Sequence, residues 1–501
     1  MTIIVQNSLL LLIALFAIVE CKPAKRQRSL FGRRSGGFKK PTDYKSSKLS
    51  QNSGVFVNKV DHFNSFNKQT YKQTYWYNTD HYVAGGPAFL MMGGEAAEDD
   101  FWTTDDNLQF GVLAKNANAA MFTLEHRYYG TSLPVSDLST GNLKYLSSRQ
   151  ALADAAAFIN SMNANPQFGL SNNTKWVTLG GSYAGSLSAW MREMYPDLVH
   201  AAVASSAPIT AVIDFYQGFN MVSQGLNNYN PKCASDVSAG FAAVREFIAT
   251  PQGQQNVKKA FGLCDDWSTL SDDDIQFFWN NFIQQYYEIL QYGGLNYNAL
   301  RAVQNIENLC AFHLRSDSSP FQNLVDAATW VESMEFGGDC IDVNYQEYIG
   351  FLNSTDFGQD TSDSRAWLYQ CCTEFGFFQT TDQTASSFWG FVIDIEWAAK
   401  QCQIVFGLPQ NSLDKGVAKT NTYYGAVDKF RGSRVIFSNG LQDPWHALGM
   451  LSSSNNKNYP VVMANGAHCE EMYEADETDP APLTEGRKKI ADKLTEYLAA
   501  N

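Results

Sequence analysis

The stretch Leu179–Gly185, with the sequence LGGSYAG, decides the fold of this chain. It completes an apolar run at Trp176–Leu179 and is followed by apolar residues at helical spacing, so the pattern predicts a strand, a tight turn and a helix. Ser182 stands at the turn, between small residues that let the backbone bend and a substrate approach. The pattern is that of a nucleophile elbow, with Ala184 in place of the last glycine of G-x-S-x-G. Because a serine between glycines in a plain loop gives the same letters, the motif alone leaves both interpretations open.

Size and charge limit the class of protein. The chain has 501 residues, of which 45% are hydrophobic, so it can bury a large core and form two or three domains. Its formal net charge is -14. An acidic protein is repelled by nucleic acids and by anionic membranes, and neither is expected as a partner.

The N-terminus predicts entry into the secretory pathway. Leu9–Val19 is an unbroken run of eleven apolar residues, too short to span a bilayer but long enough for the core of a signal peptide. We predict a signal peptide over residues 1–21. Residues 22–50 form a basic segment, either a propeptide or a flexible mature N-terminus. No later stretch is apolar for long enough to anchor the chain in a membrane.

The cysteines favour the same route. Eight of the nine lie beyond the predicted signal peptide, and none forms a C-x-x-C pair, so disulfides are favoured over a zinc site. The sequons at Asn172 and Asn353 predict glycosylation in a secreted chain. We therefore expect a lysosomal or extracellular protein.

The first half of the chain predicts a mainly parallel sheet. Aromatic residues alternate with polar ones over Val55–Tyr82, which predicts early antiparallel strands. Apolar strands separated by helical stretches follow, and this alternation is typical of a parallel sheet that binds ligands beyond the carboxyl ends of its strands. The predicted apolar strands are Ala88–Met92, Ala120–Leu124, Trp176–Leu179 and Val199–Ala204.

The second half predicts a helical insertion. After Pro208 the strand rhythm stops, and residues 209–427 are rich in aromatic and amide side chains at helical spacing. Strands return at Val435–Phe437 and Val461–Met463, before a closing amphipathic helix at Arg487–Leu498. The predicted domains are a first hydrolase part (51–208), a helical cap (209–427) and a second hydrolase part (428–501). The predicted fold class is α/β, an α/β-hydrolase with a large cap inserted before the strand that carries the catalytic aspartate.

The order of the remaining polar residues supports a catalytic triad. A serine hydroxyl needs a base to take its proton, and the base needs an acid to orient it. In α/β-hydrolases these residues follow the order serine, acid, histidine. Asp443 lies just after the first of the two returning strands, and His468 follows the second. His446, three residues from Asp443, is interpreted as a structural neighbour. Ser182, Asp443 and His468 are the predicted triad.

The oxyanion donors are predicted from the same fold. One is the backbone N–H of the residue after the nucleophile, Tyr183. The other comes from the loop after an earlier strand, where Gly94 or Glu95 follows Ala88–Met92. A simple glycine turn at this position is the alternative.

Several motifs together resemble the lysosomal Pro-X carboxypeptidase and dipeptidyl peptidase II family, and most closely its thymus-specific serine protease branch. The resemblance covers the chain from about residue 55 to its end and implies a serine exopeptidase with a helical cap, active in lysosomes or outside the cell. The motifs are 180–186 (GGSYAGS), 205–208 (SSAP), 125–130 (EHRYYG), 439–445 (NGLQDPW) and 466–469 (GAHC).

The resemblance also implies a substrate pocket and a disulfide pattern. The pocket positions are Ser186, Phe377, Trp445 and Met472. Ser186 replaces a methionine that lines the proline pocket in related enzymes, and Cys469 replaces a second histidine, so peptidase activity is better supported than cleavage next to proline. The implied disulfides are Cys233–Cys310, Cys264–Cys340 and Cys372–Cys402, with Cys371 and Cys469 unpaired.

The sequence therefore predicts a serine peptidase that trims small peptides through an acyl-enzyme, without a metal or cofactor. Peptides are the expected partners, and a homodimer is left open. An esterase or lipase is the first alternative, since the fold does not fix the substrate. A non-catalytic binding protein is the second, disfavoured because all three triad positions are retained.

Overall fold

The computed structural model describes residues 52–294, 303–335, 340–357, 362–382, 388–409, 411–453 and 457–500, with the backbone of Lys25–Arg26. The predicted signal peptide lies outside the described residues, as does the rest of the basic segment.

One eight-stranded sheet organises the described part of the chain. Its strands are β1 Ser53–Lys59, β2 Thr70–Asn78, β3 Ala88–Met92, β4 Ala120–Leu124, β5 Trp176–Gly181, β6 Val199–Ser205, β7 Val435–Gly440 and β8 Tyr459–Met463. They stand in the order β8-β7-β6-β5-β3-β4-β2-β1. The strands β1 and β2 pair antiparallel, β2 pairs antiparallel with β4, and every other neighbouring pair is parallel.

Burial explains why these segments form this sheet. Every residue of β3, β4 and β5 is buried, as expected for apolar strands covered on both faces by helices. By contrast β1, at the sheet edge, alternates between exposed and partly buried side chains over most of its length. The predicted early antiparallel strands and the parallel sheet are thus confirmed, and the fold is that of an α/β-hydrolase.

Helices flank the sheet in the parts of the chain that lie outside the insertion between β6 and β7. The longest is Ala481–Ala499, and the elbow helix, Ser182–Met194, follows β5 directly. The remaining helices and 3-10 turns of these parts are Phe101–Thr104, Gln109–Ala117, Thr140–Leu143, Ser148–Ala164, Pro444–Leu448 and Glu470–Met472.

The insertion between β6 and β7 is mostly helical, as predicted, but it also contains short strands. Val212–Asp214 pairs in parallel with Gly376–Phe378, and Cys340–Ile341 pairs with Lys25–Arg26. Strands of two or three residues are too short to show an alternating pattern, so the sequence predicted none. The helices are Tyr216–Tyr229, Pro231–Ile248, Pro251–Phe261, Trp267–Thr269 (3-10), Asp272–Tyr292, Ile306–His313, Pro320–Glu335, Tyr345–Leu352, Ser362–Gln370, Cys371–Phe375 (π), Ile395–Phe406 and Ser412–Tyr424.

Three disulfides lie within this insertion: Cys233–Cys310, Cys264–Cys340 and Cys372–Cys402. They are the pairs that the resemblance implies, and Cys371 and Cys469 are buried thiols. Disulfides are typical of proteins that pass through the secretory pathway. In the part of the chain that the structure describes, no helix has the length and apolar character needed to cross a bilayer.

Candidate active site

Ser182 lies at a strained turn between β5 and the elbow helix. Its φ is +59°, a left-handed conformation that residues other than glycine rarely adopt. Two glycines make the turn feasible. A Cβ on Gly180 would lie 2.3 Å from the Ala184 carbonyl oxygen, and one on Gly185 would lie 2.7 Å from the Ser205 carbonyl oxygen. The helix therefore packs directly against the sheet, with Ser182 held at its start.

The register of the sheet brings the triad positions to one edge. Gly181 is paired with Ser205, and Ser205 is paired with Ser438 of β7. Further along, Gly440 is paired with Met463 of β8. Because these four parallel strands end at the same edge, the loops that carry Ser182, Asp443 and His468 all emerge there.

Asp443 and His468 form a buried hydrogen-bonded pair. The His468 Nδ1 lies 2.7 Å from Asp443 Oδ2, and both side chains are almost fully buried. The other oxygen, Oδ1, accepts a hydrogen bond from the Trp445 N–H at 3.0 Å. With its proton on Nδ1, the imidazole presents Nε2 as an acceptor. This Nε2 is buried and has no hydrogen-bond partner among the described residues.

Cys469 connects the histidine loop to the nucleophile turn. Its N–H donates to Ser206 Oγ at 2.9 Å, and its Sγ lies 3.6 Å from the Ser205 carbonyl oxygen. Burial raises the pKa of the Cys469 thiol well above its usual range, so the thiol stays protonated, although the nearby Ser182 backbone N–H acts in the opposite direction. The residue after His468 thus lies beside the nucleophile turn.

The cap contributes to the same site through the C-terminus of its long helix, Asp272–Tyr292. The Gln291 carbonyl accepts a hydrogen bond from the His468 N–H at 2.8 Å, and the Tyr292 ring meets the His468 ring edge-on at 5.7 Å. The Gln442 side chain donates to the Leu290 carbonyl at 3.2 Å. No sequence pattern singled out these residues.

The predicted oxyanion loop lies over the elbow helix. A Cβ built on Gly94 would be 3.5 Å from the Ala184 Cβ, so the loop after β3 touches the first turn of the helix. One cavity includes Gly94, Glu95, Gly181 and Ala184 in its lining, together with Met472. The loop and the start of the helix therefore face a shared space.

A buried network fixes Tyr183. Its hydroxyl donates to His126 Nε2 at 3.0 Å and accepts a hydrogen bond from Gln370 Nε2 at 2.9 Å. Burial lowers the pKa of His126 to about 4, so the ring is neutral, and its Nδ1 donates to the Arg127 carbonyl at 2.7 Å. Because its side chain is held in this way, the Tyr183 backbone N–H has a fixed direction.

The four predicted pocket residues make different contacts. The rings of Phe377 and Trp445 are 5.2 Å apart, and Phe215, which the sequence analysis missed, lies 4.9 Å from Trp445. In contrast, the Ser186 hydroxyl is buried and donates to the Pro208 carbonyl at 3.0 Å. Met472 lines the cavity beside Gly94. Phe215 belongs to an aromatic-rich insertion, where no spacing distinguishes a pocket residue from a core residue.

Two further predicted features can be located. His446 Nδ1 donates to the backbone carbonyl of Asp443 at 2.6 Å, consistent with a structural neighbour of the triad. The sequon residues Asn172 and Asn353 are both exposed, as attachment of a glycan requires.

The sheet order, the strained serine turn and the buried histidine–aspartate pair at the carboxyl edge of the sheet are those of an α/β-hydrolase. The family profile of Serine carboxypeptidase S28 matches residues 58–490, and the chain belongs to this family of serine peptidases.

Proteins with similar sequences are also named as serine proteases or carboxypeptidases. A Caenorhabditis elegans protein, itself an inferred serine protease, is 39% identical over 95% of this chain and 95% of its own length. The thymus-specific serine protease of Homo sapiens is 32% identical over 88% of this chain and 85% of its own. The human lysosomal Pro-X carboxypeptidase is 26% identical, covering 85% and 84%.

Proposed function

We propose that this chain is a secreted or lysosomal serine exopeptidase in which Ser182 is the nucleophile, His468 the general base and Asp443 the residue that orients His468. The main support is the buried His468 Nε2, which has no partner among the described residues while Nδ1 is held by Asp443. A base in this state can accept the serine proton.

The reaction proceeds in two acyl-transfer steps. Ser182 Oγ attacks the scissile carbonyl as His468 Nε2 takes its proton, and the backbone N–H groups of Tyr183 and the Gly94 loop stabilise the oxyanion. The protonated His468 then gives its proton to the leaving amine, and the C–N bond breaks. Water, deprotonated by His468, attacks the acyl-enzyme and releases the acid product, which regenerates Ser182.

Small peptides are the proposed substrates. The insertion meets the catalytic edge directly, since the Gln291 carbonyl contacts the histidine loop, and a covered edge disfavours long chains. The aromatic pair Phe377 and Trp445 offers an apolar surface suited to a proline ring. The name of the human Pro-X carboxypeptidase supports cleavage next to proline, whereas Ser186, in place of the methionine of related enzymes, favours a proline pocket of altered shape.

Two measurements test the proposal. A fluorophosphonate probe should label the wild type and the His446→Gln control but not Ser182→Ala. Equal labelling of Ser182→Ala refutes the assignment of Ser182 as the nucleophile.

A peptide library digested at pH 5 and pH 7 should show, by mass spectrometry, cuts only near chain ends. Internal cuts in long peptides refute the exopeptidase assignment, and faster turnover of acyl esters than of any peptide favours an esterase. Light scattering would measure whether the protein forms the homodimer that the sequence leaves open.

A further inference from the structure

A second cavity, of about 290 Å³, lies away from the triad where the hydrolase part meets the insertion. None of the three triad residues lines it. Its walls come from the start of the helix Ser148–Ala164, from the π-helical turn Cys371–Phe375 and from the helix Ser412–Tyr424.

The cavity is positively charged although the whole chain carries a net charge of -14. Three cationic side chains line it, Lys144, Arg149 and Lys419, against the single carboxyl group of Glu374. No ion pair joins any of the three to another residue in the described ranges. Three cations that face a single carboxyl group leave an excess of positive charge, so an anion in the cavity would relieve the repulsion between the cations.

Arg149 is held in a binding-competent orientation. Its guanidinium carbon lies 4.8 Å from the centre of the Phe63 ring and 4.4 Å from that of Tyr423, so the planar group lies between two aromatic rings. Its Nε is buried and has no hydrogen-bond partner among the described residues. A guanidinium fixed in this way loses little side-chain entropy when it binds a phosphate or carboxylate.

Glu374 lies close enough to Arg149 and Lys419 to attract both, but no ion pair joins it to either of them among the described residues. Its two carboxyl oxygens accept hydrogen bonds from the backbone N–H and the hydroxyl of Ser148, each at 2.8 Å. Tyr424 completes the contact by donating to the Ser148 hydroxyl at 2.9 Å. The carboxyl group thus accepts hydrogen bonds from the start of the helix Ser148–Ala164, and Lys144, Arg149 and Lys419 remain available to a ligand.

We propose that this cavity binds a phosphoryl dianion, either free phosphate or the phosphate of a small ester. A phosphoryl group offers three or four oxygens to the three cations, and Arg149 can bind two of them. A 150 Å³ cavity holds benzene, so about 290 Å³ accommodates roughly a dozen non-hydrogen atoms. The aromatic walls Phe63, Tyr369 and Tyr423 suit a ring attached to the phosphate.

Isothermal titration calorimetry on the full-length protein at pH 7 tests the proposal, with inorganic phosphate and phenyl phosphate as separate probes and sodium chloride at matched ionic strength as the blank. Each phosphate probe should bind saturably at one site. Lys144→Gln and Lys419→Gln should each weaken binding by about ten- to a hundredfold, as expected for loss of a charged hydrogen bond. Lys415→Gln, on the same helix as Lys419 but outside the cavity, should bind like the wild type.

Both cavity lysines are exposed, so their replacement should leave the fold intact, and thermal unfolding of each variant verifies this. Tighter binding of phenyl phosphate identifies an ester as the occupant, and equal or weaker binding identifies free phosphate. The proposal is overturned if neither probe binds saturably, or if the Lys144→Gln, Lys419→Gln double variant binds as tightly as the wild type.

Discussion

Replacing Asp443 with Asn tests the proposed triad while removing only a charge. Asp443 Oδ2 accepts the His468 Nδ1 proton at 2.7 Å, and Oδ1 accepts the Trp445 N–H at 3.0 Å. An asparagine that keeps the second bond turns its NH2 group towards Nδ1. Two donors then face each other, so His468 must move its proton to Nε2. In that tautomer Nε2 cannot take the proton of Ser182.

The expected loss follows from this change of tautomer. We expect kcat of Asp443→Asn to fall by about 10⁴-fold, the size found for the equivalent change in a serine protease, which corresponds to about 5 kcal/mol of activation free energy. The KM should change little, because Asp443 is buried beneath His468 and is not placed in contact with substrate. The assay is steady-state hydrolysis of a short chromogenic peptide, with the rate of fluorophosphonate labelling as a second readout.

A matched control separates this effect from misfolding. His446→Gln alters the neighbouring histidine, whose side chain hydrogen-bonds to the backbone carbonyl of Asp443, and it should retain most of the activity. Thermal unfolding should show that both variants are folded. The assignment of Asp443 is refuted if folded Asp443→Asn loses less than about tenfold in kcat, or if His446→Gln loses as much.

Three other outcomes are expected. Replacing both Cys233 and Cys310 by Ala opens a link between residues 77 positions apart and should lower the free energy of unfolding by about 2 to 5 kcal/mol, measured by urea denaturation; an unchanged midpoint contradicts this. Burial raises the pKa of Glu374 from 4.5 to about 7. The protonated carboxyl group therefore stabilises the folded state fully below about pH 4.5, and this stabilisation is lost as the pH rises through 7. The melting temperature should be higher at pH 5 than at pH 8, and Glu374→Gln should reduce the difference. Gly180→Ala should abolish peptidase activity, since its Cβ would lie 2.3 Å from a backbone oxygen, whereas Gly141→Ala, with open space around it, should be active.

The parts of the fold that follow from local pattern were predictable from the sequence. The strand, turn and helix around Ser182 are encoded within about twenty residues, and the positions of Asp443 and His468 follow from the fixed order of strands in the fold. The contact between Phe215 and Trp445 was not predictable, because it joins an aromatic-rich insertion to a distant loop and aromatic composition does not encode which rings meet. Nor was the hydrogen bond from the Ser186 hydroxyl to the Pro208 carbonyl predictable, because it depends on how the elbow helix packs against a later part of the chain.

The insertion contacts the loops that carry the proposed catalytic residues Asp443 and His468. The C-terminus of the long helix Asp272–Tyr292 accepts hydrogen bonds from the loops of both Asp443 and His468. The Gln291 carbonyl accepts one from the His468 N–H, and the Leu290 carbonyl accepts one from the Gln442 side chain. A helix that only covered substrate could move without altering the triad, whereas movement of this one would break the hydrogen bond from the His468 N–H. The orientation of His468 therefore depends jointly on Asp443, on Cys469 beside Ser182 and on the cap, and changes that loosen the cap should reduce kcat as well as alter KM.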